Sequence, residues 1–456
     1  MKEKIVNVVG AGLAGCECAY KLANSGIKVK LYEMKKIKKS PAHKSDNFAE
    51  LVCSNSLKSD EITNACGLLK KEMEILGSIF IEAAHYARVP AGQALAVDRD
   101  KFSNYITNKI KSNKNIEIID EEVENVDNLE GITVIATGPL TSDKLMKNIS
   151  TLIGNDSLYF FDAAAPIVEA DSIDMSIAYE MDRYGSKEGG DYINLPMNKE
   201  EYLNFYNELI KANQANRHEF DKLILFEGCM PIEEMAKRGE KTLVFGPLKP
   251  VGLDNPRTGE KNYAVVQLRA ENNEKTMYNL VGFQTSLSFP EQKRVFSMIP
   301  GLKNANFIRY GVMHKNTYIN GGNLLNSNFR LRKNENIYFA GQISGVEGYV
   351  ESAASGLMVA ISILKNMQDE SITFPEDTML GSLAKYVSTE NKNYQPMNAN
   401  FGILKPLETR IKDKKIKYKK MADIAIDSIN TLKETLWIKM CTIWKLWKII
   451  IKLYQK

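Results

Sequence analysis

Two isolated cysteines are the residues of this 456-residue chain whose settings are suited to chemistry. Cys53 lies in AELVCSNSLKSD, and Cys229 lies far along the chain in LFEGCMPIEEMAKRG. A thiolate is a strong nucleophile, whereas a cysteine packed in a core is inert. The lysine-rich stretches MKKIKKSPAHK, before Cys53, and KRGEKTLVFGPLKPVGL, after Cys229, favour an anionic substrate that reaches both thiols.

The first strand and helix of the chain carry a dinucleotide-binding pattern. IVNVV leads into the glycine loop GAGLAG, a helix-like segment follows, and the next strand, KVKLYE, ends in an acidic residue. The glycines allow a tight turn beside a pyrophosphate, the helix N-terminus supplies amide donors, and the acid accepts hydrogen bonds from the adenosine ribose. The predicted nucleotide contacts are Gly10, Ala11, Gly12, Leu13, Ala14, Gly15 and Glu33.

Two later segments favour FAD over NAD as the nucleotide. GITVIATGPL predicts a buried strand that ends at Thr137 and Gly138. NIYFAGQISGVEGYVESAASGL predicts a strand, a loop containing Gly341, Gln342 and Gly348, and a helix of small residues. Repeated glycines suit a backbone that a ligand approaches closely. A return of the chain to its first nucleotide-binding unit is typical of flavoproteins related to glutathione reductase, in which this segment lies along the flavin.

These segments predict an α/β fold in which a glutathione-reductase-like FAD-binding Rossmann domain is interrupted by a smaller mixed α/β insertion domain. We expect residues 1–165 and 311–435 to form the FAD domain, with C-terminal helices in its second part, and residues 166–310 to form the insertion on the substrate side. Within the insertion, KTLVFGPL, YAVVQLRA and MYNLVGFQ are expected as short strands. EGGDYINLPMNKEEYLNFYNELIKA is expected as a loop followed by an amphipathic helix.

Charge and cysteine usage exclude several classes of protein. From Arg410 onward 13 basic residues oppose 4 acidic ones, so with a whole-chain charge of +4 the preceding residues carry −5. The body is therefore no generally basic nucleic-acid binder, and any contact with a polyanion must use local patches. The six cysteines have neither a zinc spacing nor the density of a disulfide scaffold, and we predict no metal site. MKEKIVNVVGAG enters a strand directly without a signal peptide, which predicts a cytoplasmic protein.

Six segments closely resemble the folate- and FAD-dependent tRNA (uracil-5-)-methyltransferases, bacterial enzymes that make ribothymidine in the T-loop. The resemblance runs in order from residue 1 to about residue 430. The related flavoproteins that modify the tRNA wobble uridine share the glycine motifs, but they lack this pairing of cysteine motifs. The segments are VVGAGLAGCECAYKLANSGIKVKLYEM, SPAHKSDNFAELVCSNSLKSD, LFEGCMPIEEMAKRG, FGPLKPVGL, RYGVMHKNTYIN and YFAGQISGVEGYVESAASGL.

The resemblance implies methylation of C5 of a uridine in RNA, at U54 of the tRNA T-loop. The carbon donor would be 5,10-methylenetetrahydrofolate, the reductant would be reduced FAD, and NADH or NADPH would reduce the flavin again. A thiolate that adds to uracil C6 turns C5 into a carbon nucleophile. The family's cysteines map onto Cys229, expected to attack C6, and Cys53, expected on the flavin side. Arg309, His314 and Tyr349 are the candidates near the folate.

Other interpretations stay open at the level of sequence. The same chemistry would suit a uridine of 23S ribosomal RNA, and the glycine motifs alone would suit a flavin oxidoreductase acting on a small molecule. We expect RNA and folate as partners and no stable protein partner. Residues 436–456 form an atypical basic amphipathic tail, in which Lys445, Lys448, Lys452 and Lys456 share one helical face. The preferred interpretation of this tail is that it packs on the body or stays mobile, and contact with a membrane surface or RNA is the alternative.

Overall fold

The computed structural model describes residues 5–40, 42–154, 157–163, 165–183, 190–215, 230–272, 274–311, 313–391 and 394–454. Side chains are described for these residues except in 157–163, 313–315 and 437–454. Cys229 lies outside the described residues, as do the side chains of His314 and of the tail.

The chain alternates between strands and helices. The strands are β1 Ile5–Val9, β2 Lys28–Tyr32, β3 Ser56–Ser59, β4 Arg88–Val89, β5 Ala94–Val97, β6 Ile116–Ile119, β7 Ile132–Ile135, β8 Ser157–Ala163, β9 Ile167–Glu169, β10 Tyr179–Glu180, β11 Tyr192–Met197, β12 Ala264–Ala270, β13 Met277–Leu280, β14 Phe307–Arg309, β15 Met313–Ile319 and β16 Ile337–Phe339. The α-helices are α1 Leu13–Asn24, α2 Ala65–Ile75, α3 Ile79–Tyr86, α4 Arg99–Ser112, α5 Asp143–Ile153, α6 Lys199–Lys211, α7 Ile232–Lys237, α8 Thr242–Phe245, α9 Phe289–Phe296, α10 Gly321–Leu324, α11 Tyr349–Asn366, α12 Met379–Ser388 and α13 Lys414–Tyr454.

A five-stranded parallel sheet forms the centre of the first domain, in the order β16-β7-β1-β2-β6. Its central strand has fully buried Val6 and Val8, as expected for a parallel sheet covered on both faces. Because all five strands are parallel, the residues after β1, β2, β7 and β16 meet at one edge. The predicted FAD-binding Rossmann fold with an insertion is confirmed.

A second sheet of six antiparallel strands lies in the interrupting part of the chain, in the order β10-β11-β12-β13-β9-β14. It has its own hydrophobic core, which draws on residues from Ala165 to Phe307. The core of the first domain draws on residues up to Ile153 and again from Ile319 to Ile429. The antiparallel pair β8–β15 carries the chain between the two.

Two local predictions in the insertion are wrong. KTLVFGPL contains the single helical turn α8 instead of a strand, since the Leu248 N–H returns to the Leu243 carbonyl at 2.9 Å. A four-residue apolar run does not distinguish a strand from a helical turn, and the adjacent Gly246 and Pro247 close the turn. Residues expected as a loop before α6 form strand β11, because Tyr192–Met197 pairs along its whole length with β12.

The C-terminal helix α13 is continuous from Lys414 to Tyr454 and therefore passes through the expected boundary at residue 436. Its first half packs on the body through Met421, Ala422 and Ala425, which are all buried. Among the described residues, we find no helix with the length and apolar character needed to cross a membrane.

Candidate active site

The glycine loop between β1 and α1 is shaped by close backbone contacts. Gly10 has φ of 100°, and a Cβ on Gly15 would lie 1.8 Å from the Gly10 carbonyl oxygen. A side chain at position 15 is thus excluded by the protein itself. At Gly12, which precedes α1, no described atom lies within 4 Å of the Cβ position. The space beside Gly12 is therefore open, where the amides at the start of α1 can receive an anion.

Glu33 closes the same site from the end of β2. Its carboxylate accepts the N–H of Ala11 at 2.8 Å and the N–H of Lys35 at 3.0 Å, so it fixes the glycine loop. Each carboxylate oxygen can accept a second hydrogen bond, for example from a ribose hydroxyl. Glu33 lines a cleft at the carboxyl edge of the parallel sheet. The other residues that line it include Val9, Gly12, His43, Thr137 and Thr141.

The late glycine loop meets this edge from β16. Gly341 and Gly348 have φ of 82° and 119°, a region in which residues with a Cβ are strained. The Gly341 N–H donates to Ser355 Oγ at 2.7 Å, which joins the loop to helix α11. A Cβ on Gly356 in that helix would lie 2.2 Å from the Ala14 carbonyl oxygen, so α11 and α1 pack at backbone distance.

These features fit FAD. The open cradle at Gly12 suits a pyrophosphate, Glu33 suits the ribose, and the late glycine loop leaves backbone within reach of the flavin half. A bound FAD would supply redox chemistry at this edge. Among the residues with described positions, no group of His, Cys, Asp and Glu is placed to hold a metal ion.

The loop that carries Cys53 is tied to the flavin edge. Upstream, the Ala49 N–H donates to the Ala11 carbonyl at 2.9 Å, so the segment begins against the glycine loop. The hydroxyl of Tyr349, the first residue of α11, accepts the N–H of Cys53 at 2.6 Å and that of Ser54 at 3.2 Å. Burial raises the pKa of Tyr349, so its hydroxyl stays protonated at neutral pH. Cys53 itself is half-buried.

Three arginines surround this loop, two of them from the insertion domain. Arg309 Nη2 donates to the Val52 carbonyl at 2.5 Å. Arg269 donates to Ser54 Oγ and to Asn55 Oδ1, each at 2.9 Å. The cysteine loop is therefore fixed between the two domains. This geometry suits a substrate that is held by the insertion and reacts at the flavin edge.

The third arginine, Arg99, donates to the Leu51 carbonyl at 3.1 Å and forms an ion pair with Glu271 at 2.7 Å. Burial alone would lower the pKa of Arg99, but Glu271, Tyr349 and Cys53 together outweigh burial and raise it. Burial and the neighbouring Arg99 lower the pKa of Arg309. Three guanidiniums thus share one described carboxylate beside Cys53, which leaves the local charge positive and suited to an anionic group.

The structure brings together three of the predicted residues, Cys53, Arg309 and Tyr349. For His314 only the backbone is described, in β15 opposite Asp162. Cys229 lies in the segment 216–229, outside the described residues, but both flanks of that segment are held. The Ala215 N–H donates to the Ser286 carbonyl at 2.9 Å, and the Ile232 N–H donates to the Gln284 carbonyl at 2.7 Å.

The flank after Cys229 is reinforced by a buried carboxylate. Glu233 accepts the N–H of Ser286 at 2.7 Å and the hydroxyl of Thr285 at 2.9 Å. Burial raises the pKa of Glu233, while these donors oppose the rise. Both flanks of the Cys229 segment are therefore bonded to the Gln284–Ser288 stretch of the insertion domain.

The lysines before Cys53 are largely paired within the protein. Lys36, Lys38 and Lys39 form ion pairs with Asp120, Glu122 and Asp46. Lys35 is buried and donates to the Asn47 carbonyl at 2.5 Å. The expectation that this run attracts an anion is thus weakened, and the arginines take that role at the cysteine loop.

Sequence reasoning missed Arg269, Asn55 and Glu271. A signal for Arg269 was available, because an arginine inside the largely apolar strand AVVQLRA must be buried with partners. Asn55 and Glu271 carry no comparable local signal. Cys16 and Cys18 are fully buried in the core, and burial raises the pKa of both thiols.

A parallel sheet with a dinucleotide loop, interrupted by an antiparallel domain that contacts the flavin edge, defines a two-domain FAD-binding protein. Residues 5–371 match the family model of glucose inhibited division protein A. The solved structure of Aquifex aeolicus GidA superposes with a TM-score of 0.70 at 17% identity, over 95% of this chain and 74% of that one, which supports the fold.

Closer relatives define the family. The methylenetetrahydrofolate–tRNA-(uracil-5-)-methyltransferase TrmFO of Fusobacterium nucleatum is 58% identical, over 94% of this chain and 99% of that protein. The proteins of the same name from Acetivibrio thermocellus and Staphylococcus carnosus are 57% and 54% identical, over 94% and 96% of this chain and 98% and 100% of theirs. The chain belongs to this methyltransferase family, and the resemblance seen in the sequence is confirmed.

Proposed function

We propose that the protein methylates C5 of a uridine in RNA, namely U54 of the tRNA T-loop. The carbon donor is 5,10-methylenetetrahydrofolate and the reductant is reduced FAD. The observation that carries this proposal is the position of Cys53, a half-buried thiol held at the flavin edge by Tyr349 and by arginines of the insertion domain. The family's printed name supports tRNA and folate as substrates.

In this proposal, Cys229 is the nucleophile. Its thiolate adds to uracil C6, and the electron pair of the C5–C6 bond moves toward the C4 carbonyl as an enolate. C5 then bonds to the methylene carbon of the folate and loses its proton, and cleavage of the bond from that carbon to the folate nitrogen releases tetrahydrofolate and leaves an exocyclic methylene on C5. A hydride, which bound reduced FAD would supply, converts this methylene to the methyl group, and expulsion of the thiolate from C6 restores the C5–C6 double bond. Cys53 acts on the flavin side, where its loop is fixed.

The remaining residues bind and orient the reactants. Glu33 and the amides at the start of α1 hold the nucleotide half of FAD, and Thr137, Gly138, Gly341, Gln342 and Gly348 follow it along the edge. Arg309, His314 and Tyr349 are assigned to the folate and the uracil. We infer that RNA runs across the insertion, residues 166–310, onto the FAD domain, residues 1–165 and 311–435. NADH or NADPH reduces the flavin, and the reaction takes place in the cytoplasm, where these reactants occur.

A comparison of RNA from cells with and without the protein tests the substrate. The proposal expects 5-methyluridine at position 54 of tRNA to disappear with the gene. It should return with the full chain and with a chain ending at residue 435, because every residue assigned to the site precedes residue 436. Loss of the 5-methyl group from a 23S rRNA uridine alone would identify rRNA, and not tRNA, as the substrate. Unchanged RNA would reject the proposal in favour of a flavin oxidoreductase for a small molecule.

A further inference from the structure

Three aromatic rings form a continuous stack on the insertion domain. Tyr310 lies between Phe307 and Phe289, with ring centroids 5.5 Å and 5.0 Å apart and interplanar angles of 12° and 17°. Phe307 is buried, Tyr310 is half-buried, and Phe289 is 51% exposed. The stack thus runs from the core to the surface and ends in an open ring.

The exposed ring of Phe289 does not anchor its helix. Phe289 is the first residue of α9, and the hydrophobic contacts that anchor this helix come from Val295 and Phe296, which are fully buried. Tyr310 stacks on one face of Phe289, and 51% of Phe289 remains exposed. An aromatic face at the end of a stack is the surface on which a nucleobase continues the stacking.

The position of the stack links it to both cysteine segments. Tyr310 follows Arg309 directly, and Arg309 reaches the Val52 carbonyl next to Cys53. Phe289 follows Ser288, the end of the stretch to which both flanks of the Cys229 segment are bonded. The stack therefore adjoins residues that contact the Cys53 loop and the two flanks of the Cys229 segment, on which the proposed uridine chemistry depends.

The charge next to the stack favours a polyanion over an apolar protein partner. Lys293 lies four residues after Phe289 in α9, so both share one helix face. Lys293 is exposed, and within the described ranges no carboxylate pairs with its ammonium group. An aromatic ring with a cation one helical turn away is a combination that binds a base and its phosphate together.

We propose that Phe289 and Tyr310, termed here the aromatic platform, stack a nucleobase of the substrate RNA that flanks the target uridine, with Lys293 on the adjoining phosphate. This inference rests on the proposed function and adds to it the element that positions the RNA. Phe289 and Tyr310 are positioning residues, since the reacting atoms lie at the cysteine and flavin sites.

The test measures the affinity of the FAD-loaded protein for an unmodified tRNA transcript. Phe289→Ala and Phe289→Leu should each raise the Kd and the KM for tRNA about tenfold, because stacking on the ring is lost. At saturating tRNA, kcat should be unchanged. Phe289→Trp and Tyr310→Phe keep the ring faces and should bind like the wild type. Lys293→Gln should reduce the slope of log Kd against log salt by about one counterion.

Tyr86→Ala is the matched control. Tyr86 is 66% exposed and its ring lies 4.8 Å from the ring of Tyr105, but this pair lies on helices α3 and α4 of the FAD domain, outside the aromatic platform. It should leave the Kd for tRNA unchanged. FAD content and reduction of the flavin by NADPH should be the same in all variants, which shows that the fold and the flavin site are intact.

Several results would contradict the proposal that the aromatic platform stacks a nucleobase. An unchanged Kd in both Phe289 variants would do so, as would an effect restricted to the KM for folate, which would place the folate ring on the stack. Dissociation of a dimer without a change in the Kd would assign the stack to a second copy of the chain. A wild-type protein that does not methylate tRNA would instead contradict the proposed function.

Discussion

The hydroxyl of Tyr349 accepts the backbone N–H of Cys53 at 2.6 Å, across 296 positions of the chain. Tyr349 begins α11, the helix that packs on α1 behind the glycine loop. The cysteine loop is thus positioned by the same helix that closes the flavin site. A substitution at either residue should therefore change the rate of methyl transfer, although the FAD-binding motif itself is unchanged.

Tyr349→Phe should lower methyl transfer at least tenfold while FAD content stays near that of the wild type. The substitution leaves the N–H groups of Cys53 and Ser54 without their acceptor, at a cost of about 1–3 kcal/mol for an unsatisfied buried group. Quenched assays of labelled-folate transfer measure the loss of methyl transfer, and thermal unfolding measures the loss of stability. Tyr386→Phe is the control, since its hydroxyl donates to the Gln395 carbonyl near the surface. Equal activity in both variants would contradict the assigned role.

Alanine substitutions at two glycines of the same loop should affect different properties, FAD binding in one case and stability in the other. Gly12→Ala should fold with an unchanged Tm but bind FAD at least tenfold more weakly, because its Cβ enters only the open cradle. Gly15→Ala should unfold at a lower temperature, since its Cβ would lie 1.8 Å from the Gly10 carbonyl. FAD absorbance and calorimetry of the protein without FAD separate the two. Normal FAD binding by Gly12→Ala would show that the pyrophosphate lies elsewhere.

RNA that carries 5-fluorouridine at the target position should distinguish the roles of the two cysteines. The fluorine blocks loss of the C5 substituent, so a nucleophile on C6 remains attached to the RNA. Cys229→Ala should lose both methyl transfer and this covalent complex, whereas Cys53→Ala should lose methyl transfer and keep the complex. Denaturing gels measure the attached RNA, and Cys66→Ala serves as a thiol control because Cys66 is buried. A complex that depends on Cys53 would exchange the two roles.

Glu72 gives the stability a distinctive pH dependence. Its carboxylate accepts the N–H groups of Met379 and Leu380 at 2.7 and 2.9 Å, and burial raises its pKa from 4.5 to about 8. Between these values the folded state binds more protons than the unfolded state, so the free energy of unfolding falls as pH rises. Above the folded-state pKa, the loss is complete.

The comparison with Glu72→Gln isolates this effect. Relative to the variant, the wild type should lose on the order of a few kcal/mol between pH 4.5 and pH 8. Urea unfolding across this range measures the difference. Glu74→Gln, an exposed neighbour on the same helix, should run parallel to the wild type. Parallel curves for Glu72→Gln would mean that the two N–H donors keep this carboxylate ionised.

The FAD half of the site was predictable from sequence because its determinants are local. Gly15 and Glu33 belong to one strand–helix–strand unit, so their spacing alone fixes their relation. The cysteine loop is different, since Arg269 and Asn55 meet only after the insertion has folded against the FAD domain. Strand β11 was missed for a similar reason, because its partner β12 lies far along the chain and supplies its hydrogen bonds.

The origin of the methyl carbon tests the central claim most directly. The purified protein would be given unmodified tRNA, NADPH and 5,10-methylenetetrahydrofolate labelled with carbon-13 in the methylene group. Mass spectrometry of the digested tRNA should find the label in 5-methyluridine at position 54, without S-adenosylmethionine. Unlabelled uridine at that position, or methylation only when S-adenosylmethionine is added, would contradict the account.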